Sequence, residues 1–230
     1  MFSSHVTFGL LLCGILSFGE YKPISAIDST VRPPYHEYAK MARYLVHKSN
    51  WTSMGTISSL STIHGFPMVN VISIADSACN APSTGHIYFL LTDLDFTGQD
   101  LAINNKLTAM FTEDQDLACT SNHTDTMEPT CSRVIFTGKV ERLTLDTVEY
   151  KQADKWYTNR HPASIHWRNS HTFYFCKLNI EHIAVLDFYG GAHYVSVDDY
   201  YNANYDADAS VNDIEGVVQP SVIGPKQLEQ

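Results

Sequence analysis

The stretch from Asn50 to Asp76, NWTSMGTISSLSTIHGFPMVNVISIAD, constrains this chain more than any other. Two segments rich in Ile, Val, Thr and Ser flank a turn-forming centre, His64-Gly65-Phe66-Pro67, and read as the arms of a long hairpin. In the second arm Met68, Val69, Val71, Ile72 and Ile74 fall on both alternating faces of a strand, so neither face can be left in water. A strand covered on both sides belongs in a closed barrel, and the expected class is mainly β with flanking helices.

The N-terminus sets the expected compartment. Val6 to Phe18 is a nearly uninterrupted apolar run, too short to span a bilayer, followed by small residues and a polar break. That layout is a secretory signal over residues 1–19, with cleavage near Gly19 or as late as Ala26. No later stretch has the length and apolarity of a membrane span. A formal net charge of −10, with no cluster of Lys and Arg, argues against nucleic-acid phosphates as partners.

Residues 20–34 carry Pro23, Pro33 and Pro34 without a period and read as an extended lead-in. Tyr38, Met41, Ala42, Leu45 and Val46 recur at helical spacing within Tyr35 to Ser49. After the hairpin and a Gly- and Pro-bearing loop, His86 to Thr92 has strand composition. Thr97 and Asp100 mark a helix start, with Leu94, Leu101 and Ala102 on its inner face. Lys106 to Thr112 and Arg133 to Leu143 read as strands bracketing a polar loop, the second burying Val134, Phe136 and Val140. Asp146 and Glu149 have the spacing of a capping box, opening a helix that buries Ala153, Trp156 and Tyr157 and ends at His161-Pro162. His171 to Leu178 and Ile183 to Phe188 are two further strand-like runs. From Asp198 onward acids accumulate, and residues 203–230 read as a disordered acidic tail behind a single domain over 35–202.

Four cysteines remain once Cys13 leaves with the signal. Cys119 and Cys131 bracket the polar loop between two strands and form the natural disulfide pair, worth roughly 3 kcal/mol at most by loop closure. For Cys79 and Cys176 a second bridge and two free thiols are both open. Asn50-Trp51-Thr52 and Asn122-His123-Thr124 are glycosylation sequons, Asn122 in the expected loop and Asn50 where a strand begins. His161, His166 and His171 share neither a helical nor a strand face, so a metal module there is a weak alternative. His64 and Asp76 could be placed on paper with a Ser into a triad, but no G-x-S-x-G turn, Gly-rich phosphate loop or H-E-x-x-H is present.

Several segments together resemble the CREG family, named for cellular repression of genes stimulated by an adenoviral early protein. They are Ala42-Arg43-Tyr44-Leu45-Val46-His47, Trp51, Gly55-Thr56-Ile57-Ser58, Gly65-Phe66-Pro67 and Val71-Ile72-Ser73-Ile74. Farther on come Phe175, Lys177-Leu178-Asn179-Ile180, Val185 to Gly191 and Tyr200-Tyr201, and Cys119 and Cys131 fall where the family has a pair. The resemblance implies a split β-barrel of the kind used by pyridoxamine-phosphate oxidases and other flavin-binding proteins, usually a homodimer. It also implies a secreted or lysosomal glycoprotein linked to growth restraint and differentiation, acting through protein binding, with a glycan-reading sorting receptor as an implied partner. Asn179-Ile180-Glu181 lacks the hydroxyl residue of a sequon typical of the family. Flavin-binding relatives hold the cofactor phosphate with Arg or Lys on the second hairpin strand and a Ser-x-Lys before a helix. Here those places read Val71-Ile72-Ser73-Ile74 and Thr97-Gly98-Gln99, so the expectation is no FMN and no catalysis, with an FMN-dependent oxidoreductase as the alternative.

Overall fold

The computed structural model describes residues 32–203. The expected signal, the lead-in before Arg32 and the tail from residue 204 lie outside the described residues. Helix α1 (Tyr38–Lys48) is followed by strands β1 (Trp51–Ile57), β2 (Pro67–Ala75) and β3 (Tyr88–Leu91), helix α2 (Phe96–Ile103), and strands β4 (Lys106–Thr112) and β5 (Arg133–Arg142). Then come helices α3 (Val148–Arg160) and α4 (Ser164–Ser170), strands β6 (Tyr174–Leu186) and β7 (His193–Val195), and helix α5 (Val197–Asn202).

The strands run antiparallel in the order β3-β2-β1-β4-β5-β6, and β3 pairs back onto β6 to close a six-stranded barrel. Strand β6 makes the closure possible by its length. Its first part, Tyr174–Lys177, pairs with β3, and Ile183–Val185 pairs with β7, while β5 follows it along the other edge. One long strand with two partners on one edge is what splits the barrel.

Two apolar cores follow. Alternate residues of the strands, such as Met54, Ile74, Leu107, Phe111, Phe136 and Leu178, fill the interior. Met41, Ala42, Leu45 and Val46 of α1 join this cluster with Tyr200 of α5. The second core lies outside the barrel wall, where Ala75, Leu90 and Phe175 pack against Ala153 and Tyr157 of α3. The rings of Tyr150 and Tyr157 meet Phe175 edge-on, with centroids 5.4 and 5.5 Å away.

Several expectations are corrected. The two runs expected at 171–178 and 183–188 are one strand. The polar stretch Asn179 to His182, which resembles a turn, runs through a register shift opposite Thr137/Gly138. Gly138 is required there, because a Cβ would lie 2.1 Å from the Asn179 carbonyl oxygen. Helix α2 is capped by Asp95 rather than opening at Thr97. Leu94 and Ala102 are exposed, and Leu101 is buried with Thr97, Gly98 and Asp100. Helix α3 is capped by Thr147, whose hydroxyl accepts from the Tyr150 N–H, rather than by Asp146. Helix α5 takes in Asp198 to Asn202, where the acids begin to accumulate, and α4, α5 and β7 were not anticipated.

The largest correction concerns β2. Ile72, Ile74 and Ala75 are buried, but Val69 is 66% and Val71 61% exposed. Helix α3 covers the outer face of β2 only toward its C-terminal end, so among the described residues nothing covers the other half of that face.

Candidate functional site

Where a flavin phosphate would need cations, the second hairpin strand meets the start of α2. The Asn70 side chain on β2 donates to both carboxylate oxygens of Asp95, at 3.2 and 3.1 Å, and to the Thr97 hydroxyl at 2.9 Å. Asp95 in turn accepts from the Thr97 N–H at 2.7 Å, capping the helix. The preceding turn holds a second carboxylate, Asp93, which accepts from the Tyr174 hydroxyl at 2.9 Å. Burial, reinforced by Asp93, raises the Tyr174 phenol above its ordinary range. Gly98 brings α2 close, since a Cβ there would lie 2.2 Å from the Thr92 carbonyl oxygen. One guanidinium is nearby, that of Arg142, lying 3.8 Å over the Tyr174 ring.

This junction does not fit a phosphate. Its polar groups satisfy one another, the Thr97 N–H of the first turn already faces a carboxylate, and a dianion would be added beside Asp93 and Asp95. Farther along α2, Asp100 accepts from the Thr56 hydroxyl at 2.8 Å and from the N–H and hydroxyl of Ser59 at 2.6 and 2.8 Å. Burial works to raise this carboxyl, but those donors hold it below the ordinary range. The helix is thus fastened to the hairpin at its start and at its middle.

On the covered side of the barrel a buried ionic knot joins α1, β2 and α3. Arg160 donates to the Ser77 and His47 carbonyls at 2.8 and 2.9 Å and to Asp76 Oδ1 at 2.7 Å. His47 Nδ1 lies 3.1 Å from both Asp76 oxygens. Burial alone would raise the Asp76 carboxyl, but the His47 hydrogen bond and the Arg160 charge hold it below its usual range. The knot is enclosed, with Asp76, Arg160 and His47 all buried, so it fastens helices and offers nothing to a substrate. The sequence had paired Asp76 on paper with His64, which is exposed in the hairpin loop. The true partner was legible only as one residue of the α1 segment.

Across the barrel, the outer face is largely apolar and, among the described residues, uncovered. The pairing registers align Val71, Ser53, Met110, Ile135 and Ala184 in one row, with Val69, Gly55 and Thr108 in the next. Met110 and Ile135 are 37% and 38% exposed. Ile57 and Phe66, at the far end of the hairpin, are exposed as well.

Cys119 and Cys131 form the expected disulfide, with Cα atoms 5.7 Å apart, while Cys79 and Cys176 are free. Burial pushes the Cys176 thiol up to about 12. Asn122 is exposed in the disulfide-bounded loop, its amide donating to the Ala118 carbonyl at 2.8 Å. Asn50 is exposed between α1 and β1, and the hydroxyl of its sequon Thr52 is turned inward to the Met110 carbonyl. His161 ends α3 with Nε2 on the Ile74 carbonyl, and His166 and His171 are exposed on and after α4. Among the described residues no group of three His, Cys, Asp or Glu side chains is arranged to hold a metal. No helix among them is long and apolar enough to cross a membrane.

A family model described as CREG, beta-barrel matches residues 33–202. The chain belongs to the CREG family. It is 31% identical to Protein CREG1 of Gallus gallus over 189 residues, 82% of this chain and 97% of that protein. It is 34% identical to Protein CREG1 of Homo sapiens over 170 residues, 74% of this chain and 76% of the relative. Protein CREG2 of Homo sapiens is 33% identical over 166 residues, 72% of this chain and 56% of that longer protein. Among solved structures, the CREG barrel is similar to a heme binding protein from Mycobacterium smegmatis, with TM-score 0.55 and 17% identity over 74% of this chain and 61% of that one. A protein of unknown function from Agrobacterium tumefaciens is alike at TM-score 0.55 and 18% identity, covering 74% of this chain and 63% of the other. At such identities the likeness is one of fold, and the fold is the split barrel.

Proposed function

We propose that this CREG protein is a secreted or lysosomal glycoprotein that acts by binding other proteins, in growth restraint and differentiation, and carries out no flavin chemistry. The observation that carries the second half of this reading is the Asn70–Asp95–Thr97 network. Flavin phosphate is held by charge-assisted hydrogen bonds worth about 1.5–3 kcal/mol each, and here the corresponding strand and helix start supply a carboxylate and its neutral partners. Protein purified without added cofactor is therefore colourless. Absorbance near 450 nm, about where oxidised flavins absorb, surviving gel filtration would instead assign an FMN-dependent oxidoreductase.

The same reading includes a homodimer formed through the bare outer face. Val69 and Val71 of β2, Met110 of β4 and Ile135 of β5 make an apolar surface with no helix over it among the described residues, while the C-terminal part of the outer face of β2 is covered. Light scattering behind gel filtration gives twice the chain mass for the parent, and Val71→Lys gives the monomer mass with an unchanged circular dichroism spectrum. A monomeric parent would remove this part of the proposal. Glycans on Asn122 and Asn50, and capture by a sorting receptor that reads them, complete it; a glycosidase that removes N-linked chains lowers the mass of secreted protein, and Asn122→Gln removes one step of that shift.

A further inference from the structure

A groove of about 640 Å³ lies between α3, α4 and the start of the loop after β2. Its walls carry Lys151 and Lys155, one turn apart on α3, together with Arg168 of α4 and the apolar side chain of Ile165. Arg168 donates to Asp154 at 2.6 Å and to the Thr158 hydroxyl at 2.8 Å, so Asp154 answers one of the three positive charges. Its Nε is enclosed without a hydrogen-bond partner among the described residues. Lys151 and Lys155 are exposed, and no carboxylate is within ion-pair distance of either among the described residues. Two like charges at this spacing repel each other and are left standing in a chain whose net charge is −10.

We infer that this groove binds the chain's own segment Asp206 to Val218, DADASVNDIEGVV, in cis. Charge and composition match: Asp206, Asp208, Asp213 and Glu215 contain no cation among them, and Val211, Ile214, Val217 and Val218 supply apolar side chains for Ile165 and its surroundings. The point where the chain leaves α5 is close to the groove. Arg43 donates to the Tyr201 carbonyl at 3.1 Å and, with the same guanidinium, to the Ser83 carbonyl. The loop that contains Ser83 begins at the groove, where Ala78 lines the wall and the Cys79 N–H donates to Asn159 at 2.8 Å. Ala78 to Ser83 spans no more than about 17 Å, and residues 206 to 215 reach about 10 to 40 Å beyond Ala203. The acids therefore cover the distance without strain.

Tethering decides the occupant. A segment on a short linker is presented at an effective concentration on the order of millimolar, so even a millimolar site is about half filled by it. An untethered acidic peptide at micromolar concentration fills about a thousandth of the same site.

Carbodiimide coupling, which joins a carboxylate to an amine only where the two are in contact, tests this on the full chain. Equal amounts of unlabelled and ¹⁵N-labelled protein are mixed, coupled in 0.1 M salt and mapped by peptide mass. The expected products join Lys151 or Lys155 to Asp206, Asp208, Asp213 or Glu215 within one isotopic species. Their yield falls at least about fivefold in 1 M salt, where the screening length shrinks to about 3 Å. Products joining labelled to unlabelled chains would assign the groove to a second copy and overturn the cis reading. Coupling of these lysines only to acids within residues 32–203, or to none, overturns it altogether.

Discussion

The outer surface of the barrel has two sides built from the same kinds of residue and treated in opposite ways. On one, Ala75, Leu90 and Phe175 lie under α3 and Arg160 locks the helix end onto Asp76. On the other, Val69, Val71, Met110 and Ile135 face outward with no helix above them among the described residues. The strands of both sides have alternating apolar residues, so strand chemistry does not distinguish them. What differs is whether an element among the described residues supplies the cover. A strand that is apolar on both faces thus announces that both faces will be buried, but not by whom.

The largest test of this contrast is Phe175→Ala. Phe175 is fully buried between Tyr150 and Tyr157, and its truncation should cost about 3–5 kcal/mol in urea unfolding, by lost burial and the cavity left behind. Arg160→Met should come next at roughly 3 kcal/mol, because it takes the guanidinium from the buried Asp76 carboxylate and leaves it to His47 alone among the charged groups of the knot. Its deficit has a definite pH dependence. The parent's Asp76 carboxyl is held low, so its stabilisation is present above the ordinary carboxylate range and is lost as pH falls through the lowered folded value. The two proteins should therefore converge in acid, and a deficit that stays constant with pH would show that Asp76 is not the group left unpaired.

A gentler test uses His161, which ends α3. Burial lowers its pKa, against the opposing hydrogen bond to the Ile74 carbonyl, with the Arg160 charge adding to the lowering. The unfolded chain then binds the proton more readily. Stability from the neutral ring is full above about pH 6.5 and declines as pH falls toward the lowered folded value. Melting temperatures of the parent should fall over that window, and His161→Gln should flatten part of the slope; His86, lowered by burial and by Lys177, accounts for a further part. The smallest effect belongs to the bare side. Val71→Thr should change the stability of the isolated chain by no more than about 0.5 kcal/mol. A loss of more than about 2 kcal/mol in a protein shown to be monomeric would mean that the face is covered within the chain after all.

Much of this arrangement was legible in the sequence because its periodicities are strong. Alternation marks β1, β4 and β5, the 3.6-residue stripe marks α1, and Ala153 with Tyr157 marks the buried face of α3. The failures have physical causes. Strand β6 looked broken because the polar residues in its middle carry a bulge, with Glu181 the extra residue, and the glycine that permits the bulge sits opposite on β5. Helix α5 was not read as a helix because its six residues are too few to show a period, its burial resting on Tyr200 with Tyr201 half-buried beside it. At the α2 junction, the missing cations could be read from Val71 to Ile74 and Thr97 to Gln99, but the contribution of Asn70 could not. Nothing in its local sequence says that it reaches Asp95 and Thr97, which only the fold brings beside it.

The pairing of β3 with β6 has a consequence for the order in which the molecule can be made. Residues 88–91 wait for residues 174–177 before the ring can close, and the interior is still short of Tyr200 until α5 is in place. A ribosome releasing the chain from its N-terminus therefore emits the hairpin and β3 well before their last neighbours exist. For that interval β3 is an open edge beside an unfilled core, and the distant pairing makes closure slow compared with local hairpin formation. Truncations that remove only α5 should thus lower the yield of native protein during synthesis more than they lower the stability of what does fold.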